Sequence, residues 1–450
     1  MSHNIDHIFK SYDIRGKVGT ELNEEVSRNV GRAFADWLER KGAVAVGRDM
    51  RPDSEALAEA LIKGLIEQGR DVIDIGQVTT DMIYFAVGHL NLAGGAMVTA
   101  SHNPGEYNGI KLCREEARPV GLESGLADIR DRSLSENFKA SKKVGARTSQ
   151  DICEDWITHV LGFIDVDKLV PLRIAVDAGN GMAGKIFPEL EPYVPWEVTE
   201  LYFELDGTFP NHEANPLKFE TLKDINDVIR KNKLYGGIAF DGDGDRAFLI
   251  DETGEVLTGG VMSAILADYF LSLEKGSNII YDARNSRSVP LVIKKAGGSP
   301  VITKVGHANI KQVMREKNAP FGGEASGHFY FRDNWFADSG LIAAVIGMYV
   351  ATLSGKKLSE LRKTYTHFAA IPETNFTVKD PKHSIALIGE NFKSYNRENL
   401  DGLTVTIDKS TWFNVRASNT EPVLRLNAEA ADKHQLDSLV AKVTGLITVS

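Results

Sequence analysis

Apolar positions in the first hundred residues switch between helical and strand spacing. Val26, Val30, Phe34 and the Trp37-Leu38 pair recur every three to four residues, which predicts a helix from about Asn23. Ala43–Val46 is a short apolar run, read as a strand that ends in Gly47-Arg48-Asp49-Met50-Arg51. Leu57, Leu61 and Leu65 predict a second helix from around Ser54, with Ser54 as its N-cap. Asp71–Gly76 and Ala96–Ala100 read as further strands. Strands alternating with helices imply βα units and a largely parallel sheet.

The polar stretch from about Arg130 to Thr148 lacks a period and is expected to be a helix end and linker, hence a boundary. Beyond it, Arg173–Val176, Gly237–Phe240 and Asn278–Tyr281 read as buried strands, and Val301-Ile302 as another. Two of them run into Asp-Ala-x-Asn, at Asp177–Asn180 and Asp282–Asn285, with a looser parallel at Arg48-Asp49, a hint of three related units. After about Thr366 the runs Leu403–Ile407 and Val423–Leu426 alternate apolar with polar, and a helix follows near Lys433–Leu446. The expected fold class is α/β: three related mixed or parallel-sheet domains over 1–150, 151–256 and 257–366, and a smaller α+β domain over 367–450.

Composition narrows the functions. The 450 residues are 42% hydrophobic and 25% charged, ordinary for a globular chain with a sizeable core. A net charge of −10 argues against nucleic acid as the main partner. The two cysteines, Cys113 and Cys153, form no metal pattern and no disulfide framework, which points to a reducing cytoplasm. Met1–His7 shows no secretory leader, and no apolar run approaches the ~18 residues of a membrane span, so no membrane partner is expected.

Four groups of residues carry candidate chemistry. The strand before Thr99-Ala100-Ser101-His102-Asn103-Pro104 delivers a serine hydroxyl to a loop at a sheet edge. Taken alone, Ser101 reads most simply as a backbone-bonding loop residue; a phosphoryl carrier also needs a base, a metal or a charged cradle. Asp241-Gly242-Asp243-Gly244-Asp245-Arg246 offers carboxylates at i, i+2 and i+4, on one face of an extended segment that the glycines let curl until three oxygens converge, which suit a hard cation such as Mg²⁺. A calcium loop would place Glu252 twelfth but needs glycine where Arg246 stands. Gly179–Gly184 fits G-x-G-x-x-G, with Glu200 near the offset of a dinucleotide site, the basis for an alternative NAD-dependent oxidoreductase. Gly306-His307, Gly323–His328 and Arg416–Pro422 with Arg425 are polar, glycine-flanked loops suited to sugar hydroxyls and phosphate.

Tyr12–Gly16, Thr99–Pro104, Asn108–Lys111, Asp241–Arg246, Gly306-His307, Gly323–His328 and Arg416–Pro422, in this order over nearly the whole chain, resemble the α-D-phosphohexomutase superfamily. The start and end motifs are similar to its bacterial phosphomannomutase/phosphoglucomutase branch. Ala325 departs from the Met common in that branch, and Arg284 stands where Lys is common. The resemblance implies four domains around a central cleft and interconversion of hexose 1- and 6-phosphates. It implies a phosphoryl group on Ser101, Mg²⁺ held by Asp241, Asp243, Asp245 and the Ser101 phosphate, and hexose 1,6-bisphosphate as intermediate and activator. Lys111, Arg246, His307, His328 and Arg15 are the implied catalytic residues. Lys111 would serve as a base if crowded cations lower its pKa. Tyr12, Arg284, Gly306, Glu324, Ser326, Arg416, Ser418, Asn419, Thr420 and Arg425 are the implied substrate contacts. The partners implied are small hexose phosphates, for a monomer or small homo-oligomer. A non-catalytic sugar-phosphate sensor on the same fold is a third class; it would be expected to have lost Ser101 or an aspartate, and this chain keeps them all.

Overall fold

The computed structural model describes residues 5–138, 141–417 and 423–449. The chain forms two compact units, one of Met1–Leu257 with Gly327–Ser359, the other of Thr258–Ser326 with Glu360–Ser450.

The first unit holds two sheets built on parallel strands. In the first, Gly94–Val98, Val44–Arg48 and Val72–Gln77 run parallel, and Tyr107–Arg114 and Ile14–Lys17 extend the edge antiparallel. The helix at Glu24–Trp37 starts where the spacing predicts, with Asn23 Oδ1 accepting from Val26 N at 3.0 Å. The second helix, Ser54–Glu67, corrects the expected cap: no side chain caps it, and Ser54 Oγ donates instead to Asp49 Oδ1. The polar stretch is also more than a linker. After the helix Leu126–Ser135, Arg147–Ser149 joins the sheet beside Val72–Gln77. Arg147 fastens it through Glu59 and Asp74, long-range ion pairs that periodicity cannot reveal.

The second sheet orders Trp196–Leu201, Leu172–Asp177 and Gly236–Phe240 in parallel, with Ala247–Asp251 returning antiparallel. The same unit contains the hairpin Phe329–Phe331 and Ala337–Asp338, followed by the apolar helix Gly340–Ser354.

In the second unit, Ser299–Thr303, Asn278–Asp282 and Phe321–Gly323 are parallel. Its C-terminal part is an antiparallel sheet of Thr374–Thr377, Val423–Ala430, Trp412–Ala417, Leu403–Thr406 and Asn396–Glu398, with Ala369–Ala370 at one end. Phe392, Phe413, Leu426 and Leu436 form the core beneath it. This fits the change of pattern after Thr366. Among the described residues no single helix is long and apolar enough to cross a membrane.

The hint of repetition has a structural counterpart. Three parallel strands each lead into a buried acid, Asp49, Asp177 and Asp282, at 1%, 1% and 0% exposure. Each has its own cationic or imidazole partner: Arg51, His212 and Arg284. The C-terminal ends of parallel strands are where α/β folds gather ligand-binding groups.

Candidate active site

The Gly94–Val98 strand hands Thr99-Ala100-Ser101 to a tight loop, and Ser101 adopts φ +52°. A non-glycine residue there stores backbone strain and persists only where its surroundings impose it. Arg51 imposes it. Its buried guanidinium donates to four main-chain oxygens: Ser101 at 2.9 Å, Asn103 at 2.6 Å, Pro104 at 2.9 Å and Tyr107 at 2.8 Å. Asp49 lies 3.2 Å from Arg51 Nε and holds the guanidinium from behind. Burial pushes the Asp49 carboxyl up and the Arg51 guanidinium down, each opposed by the other's charge.

Ser101 Oγ donates to Asp241 Oδ2 at 3.1 Å and lies 3.0 Å from His102 Nδ1. Burial, then Arg246 and Arg15, hold the His102 imidazole well below its ordinary value, so it is neutral. Arg246 grips Asp241 Oδ2 through Nε at 2.9 Å and Nη2 at 2.7 Å, and its Nη2 reaches Ser101 Oγ at 3.5 Å. Arg15 donates to Asn103 Oδ1 at 2.7 Å and to Asp13. Tyr12 lies in the bend just before the Arg15 strand.

The acidic loop curls as its glycines allow, and is not extended along its length. It is the turn between two antiparallel strands, closed by Gly244 N donating to Asp241 O at 3.1 Å, with Gly244 at φ +74°. The turn brings one oxygen each of Asp241, Asp243 and Asp245 within 4.8 Å of the others. All three residues are buried. Among the described residues Asp243 Oδ1 and Asp245 Oδ1 accept no hydrogen bond, so the cluster presents unmet acceptors to a cation. Burial drives the Asp241 carboxyl up to about 7 against the pull of Arg246. Three carboxylates this close and this dry favour a proton or a metal among them. The calcium-loop alternative fails on Glu252, whose carboxylate accepts from Ser359 N and Oγ instead.

Lys111 projects from the strand Tyr107–Arg114 of the first sheet. Its Nζ donates to Asp243 Oδ2 at 2.7 Å and Asp245 Oδ2 at 2.6 Å. Burial alone would lower its pKa, but the two carboxylates outweigh burial and hold the ammonium well above its ordinary value. The expected lowering is therefore reversed in this arrangement. His328 Nε2 lies 3.6 Å from Asp245 Oδ1. Burial would raise Asp245, but Lys111 and His328 hold it well below the usual carboxylate range.

Gly179–Gly184 serves these loops from within. Met182 N donates to Gly242 O at 2.9 Å, and a Cβ on Gly181 would meet that oxygen at 2.7 Å. Asn180 Nδ2 donates to Glu204 O, and its Oδ1 accepts from Asn211. Gly181 and Met182 seat the acidic turn, and the amides of Gly179, Gly181 and Gly184 donate to Asp177 Oδ1, Ala178 O and Gly181 O inside the fold. This corrects the dinucleotide reading.

The second unit gathers the remaining candidates. Glu324 Oε1 accepts from Gly306 N at 3.1 Å and its Oε2 from Ser326 Oγ at 2.7 Å. His307 begins the helix His307–Lys317 directly after Gly306. Arg284 pairs with Asp282 at 2.9 Å and approaches Glu324 at 4.0 Å. Arg416 and Arg425 are direct cross-strand partners. Ser418, Asn419 and Thr420 lie outside the described residues. Sequence reasoning passed over Arg51, Asp49 and Glu373. Asp49 follows its strand as Asp177 and Asp282 follow theirs, but nothing local in the chain tells that Arg51 faces the serine loop.

Models of all four phosphoglucomutase/phosphomannomutase domains match the chain: alpha/beta/alpha domain I over residues 6–139, II over 154–254, III over 258–368 and the C-terminal domain over 373–446. The chain is 40% identical over 444 residues to the phosphohexose mutases of Xanthomonas campestris pv. campestris (strain B100), covering 98% of both. It is 41% identical over 433 residues to the phosphomannomutase of Escherichia coli (strain K12), covering 94% of both. A crystal structure of a phosphoglucomutase/phosphomannomutase family protein from Burkholderia thailandensis superposes with TM-score 0.90 at 31% identity, covering 99% of this chain and 97% of that one. The chain belongs to the phosphoglucomutase/phosphomannomutase family of the α-D-phosphohexomutase superfamily and is a hexose-phosphate mutase.

Proposed function

We propose that the enzyme interconverts the 1- and 6-phosphates of mannose and glucose, with Ser101 as phosphoryl carrier and hexose 1,6-bisphosphate as intermediate and activator. The observation that carries this reading is the convergence of Ser101 Oγ, Asp241 and Arg246 beside two unmet carboxylate oxygens. Asp241, Asp243 and Asp245, with an oxygen on phosphorylated Ser101, are the residues that would hold Mg²⁺. When bound, the ion would neutralise charge on the transferring phosphoryl group.

The chain's own residues then have distinct tasks. A free hydroxyl of the sugar attacks the phosphorus on Ser101. The new O–P bond forms as the Ser101 Oγ–P bond breaks, and the hydroxyl proton passes to a base. Arg246, already within 3.5 Å of Oγ, stabilises the oxygen that leaves. Lys111, His307 and His328 are the candidates for proton transfer, with Arg15 in support. Lys111 is a donor while Asp243 and Asp245 hold it, and becomes available once those carboxylates have another partner. The bisphosphate turns end for end and returns its other phosphoryl group to Ser101 Oγ. Glu324 and Ser326 grip sugar hydroxyls in both poses, with Tyr12 and Gly306 as further contacts. Arg284, Arg416 and Arg425, together with Ser418, Asn419 and Thr420, hold the phosphate that is not reacting. The four-part division near residues 150, 256 and 366, a cytoplasmic location and a monomer or small homo-oligomer belong to the same reading.

The test is an intact mass before and after incubation with Mg²⁺ and glucose 1,6-bisphosphate. A gain of one phosphoryl group mapping to Ser101 is expected, absent in Ser101→Ala. That variant should keep its fold and lose about 1,000-fold or more in kcat. Near-normal turnover by Ser101→Ala would sink the carrier role. Relative rates with mannose and glucose 1-phosphates then give the sugar preference.

A further inference from the structure

A carboxylate of this chain already stands among the arginines of the second unit. Glu373, just before the strand Thr374–Thr377, touches three guanidinium groups at once. Its oxygens lie 3.2 Å from Arg416 Nη2, 3.5 Å from Arg425 Nη1 and 3.7 Å from Arg284 Nη1. Asn427 Nδ2 donates to it at 3.1 Å. Arg416 and Arg425 face each other directly across neighbouring strands, a placement of like charges that costs stability unless an anion lies between them. Glu373 is that anion, and it does not saturate the site. Arg416 Nε and Arg425 Nε are buried without a hydrogen-bond partner among the described residues. Arg284 has Asp282 besides, so among the described residues Glu373 is the carboxylate on which Arg416 and Arg425 converge, and both keep donors for more.

We propose that Glu373 is a built-in placeholder for phosphate. Its carboxylate keeps Arg284, Arg416 and Arg425 convergent when no phosphate is bound, and yields them to a phosphate dianion. This rests on the reading above, in which these arginines hold the phosphate that is not reacting. A bisphosphate that turns over must leave the arginines and return by its other end. A carboxylate on the spot offers them a partner in the interval, so release need not leave Arg416 and Arg425 facing each other with no anion between them. The same carboxylate lowers affinity for every phosphate ligand, because each must displace it.

The test uses the full chain and inorganic phosphate as probe. Calorimetric titration should give a Kd for phosphate at least fivefold lower in Glu373→Gln than in the wild type, with Glu373→Asp between them. In turnover, Glu373→Gln should lower KM for hexose 1-phosphate and kcat together, because ligand is held longer. A second measurement needs no variant. In a crystal structure of the wild type grown in phosphate, the anion should lie between Arg416 and Arg425 with the Glu373 carboxylate turned more than 4 Å from Arg416. An unchanged or raised Kd in a folded Glu373→Gln would overturn the proposal. So would phosphate bound with Glu373 still in place, or no phosphate at the arginines. Failure of Ser101 to take up a phosphoryl group would overturn the mutase mechanism without touching these phosphate measurements, so the two failures are distinguishable.

Discussion

The Arg51 guanidinium donates to the main-chain oxygen of Ser101 at 2.9 Å, and the same group holds three further carbonyls of the serine loop. A planar five-donor fork is needed for this; an ammonium cannot reproduce it. Arg51→Lys should therefore lower kcat at least tenfold while leaving KM within about threefold, because the loop is disturbed and the sugar grip is not. A KM that rises as much as kcat falls would show that Arg51 acts on binding instead.

Gly242 lies against the same oxygen. A Cβ there would sit 2.6 Å from Ser101 O, a backbone atom that cannot swing aside. Gly242→Ala should destabilise the first unit by about 1–3 kcal/mol, the range for overpacking, and weaken Mg²⁺ binding. Thermal denaturation and a metal titration would check both effects. Wild-type values in each would show that the acidic turn can shift freely relative to Ser101.

Lys111 donates to Oδ2 of Asp243 and of Asp245, the two carboxylates whose Oδ1 atoms are left for a cation. Removing it leaves three buried acids with less positive charge nearby. In Lys111→Ala the protein without metal should be less stable than the wild type, and added Mg²⁺ should raise Tm by more than it does in the wild type. A smaller metal-induced rise in the variant would argue that Lys111 and the cation do not compete.

Asp81 is fully buried, and it accepts from Ser339 Oγ at 2.6 Å and from Thr79 Oγ1. Burial raises its carboxyl to about 7, from an ordinary value near 3.8. A raised carboxyl is protonated in the fold at pH values where the unfolded chain has already ionised it. Its contribution is intact below pH ~4 and is lost as pH rises to about 7, at about 1.36 kcal/mol for each unit of difference. Asp81→Asn cannot ionise and still bonds both hydroxyls. Relative to the wild type, it should gain stability between pH 4 and pH 8 at constant metal concentration. A difference in Tm that does not change with pH would remove Asp81 from the acid–base balance of the fold.

Much of this was visible in the chain. The helix at Glu24–Trp37 and the strands at Leu172–Asp177, Gly236–Phe240 and Asn278–Asp282 arise from side-chain periodicity, a local property. The grouping of Asp241, Asp243 and Asp245 was legible because it is a single short turn whose glycines let the backbone curl. The Ser54 cap was misread, and the strand at Arg147–Ser149 within an expected linker was missed, for one reason. Asp49 claims Ser54, and Glu59 with Asp74 claims Arg147, so distant partners overrode the local preference.

The sequence by itself determined the alternation of helix and strand, the change of pattern after Thr366, the acidic turn, and motifs ordered closely enough to point to a family. Those depend on neighbours within a few residues. Only the tertiary structure decided that Arg51 would hold a loop fifty positions away and that Lys111 would be pinned by acids from another sheet. It also decided that Gly181 and Met182 would seat the acidic turn, and that Glu373 would stand among three arginines. The charge state of a buried group depends on what the fold places within a few ångströms of it and on how far it excludes water. Neither quantity exists until the chain has packed.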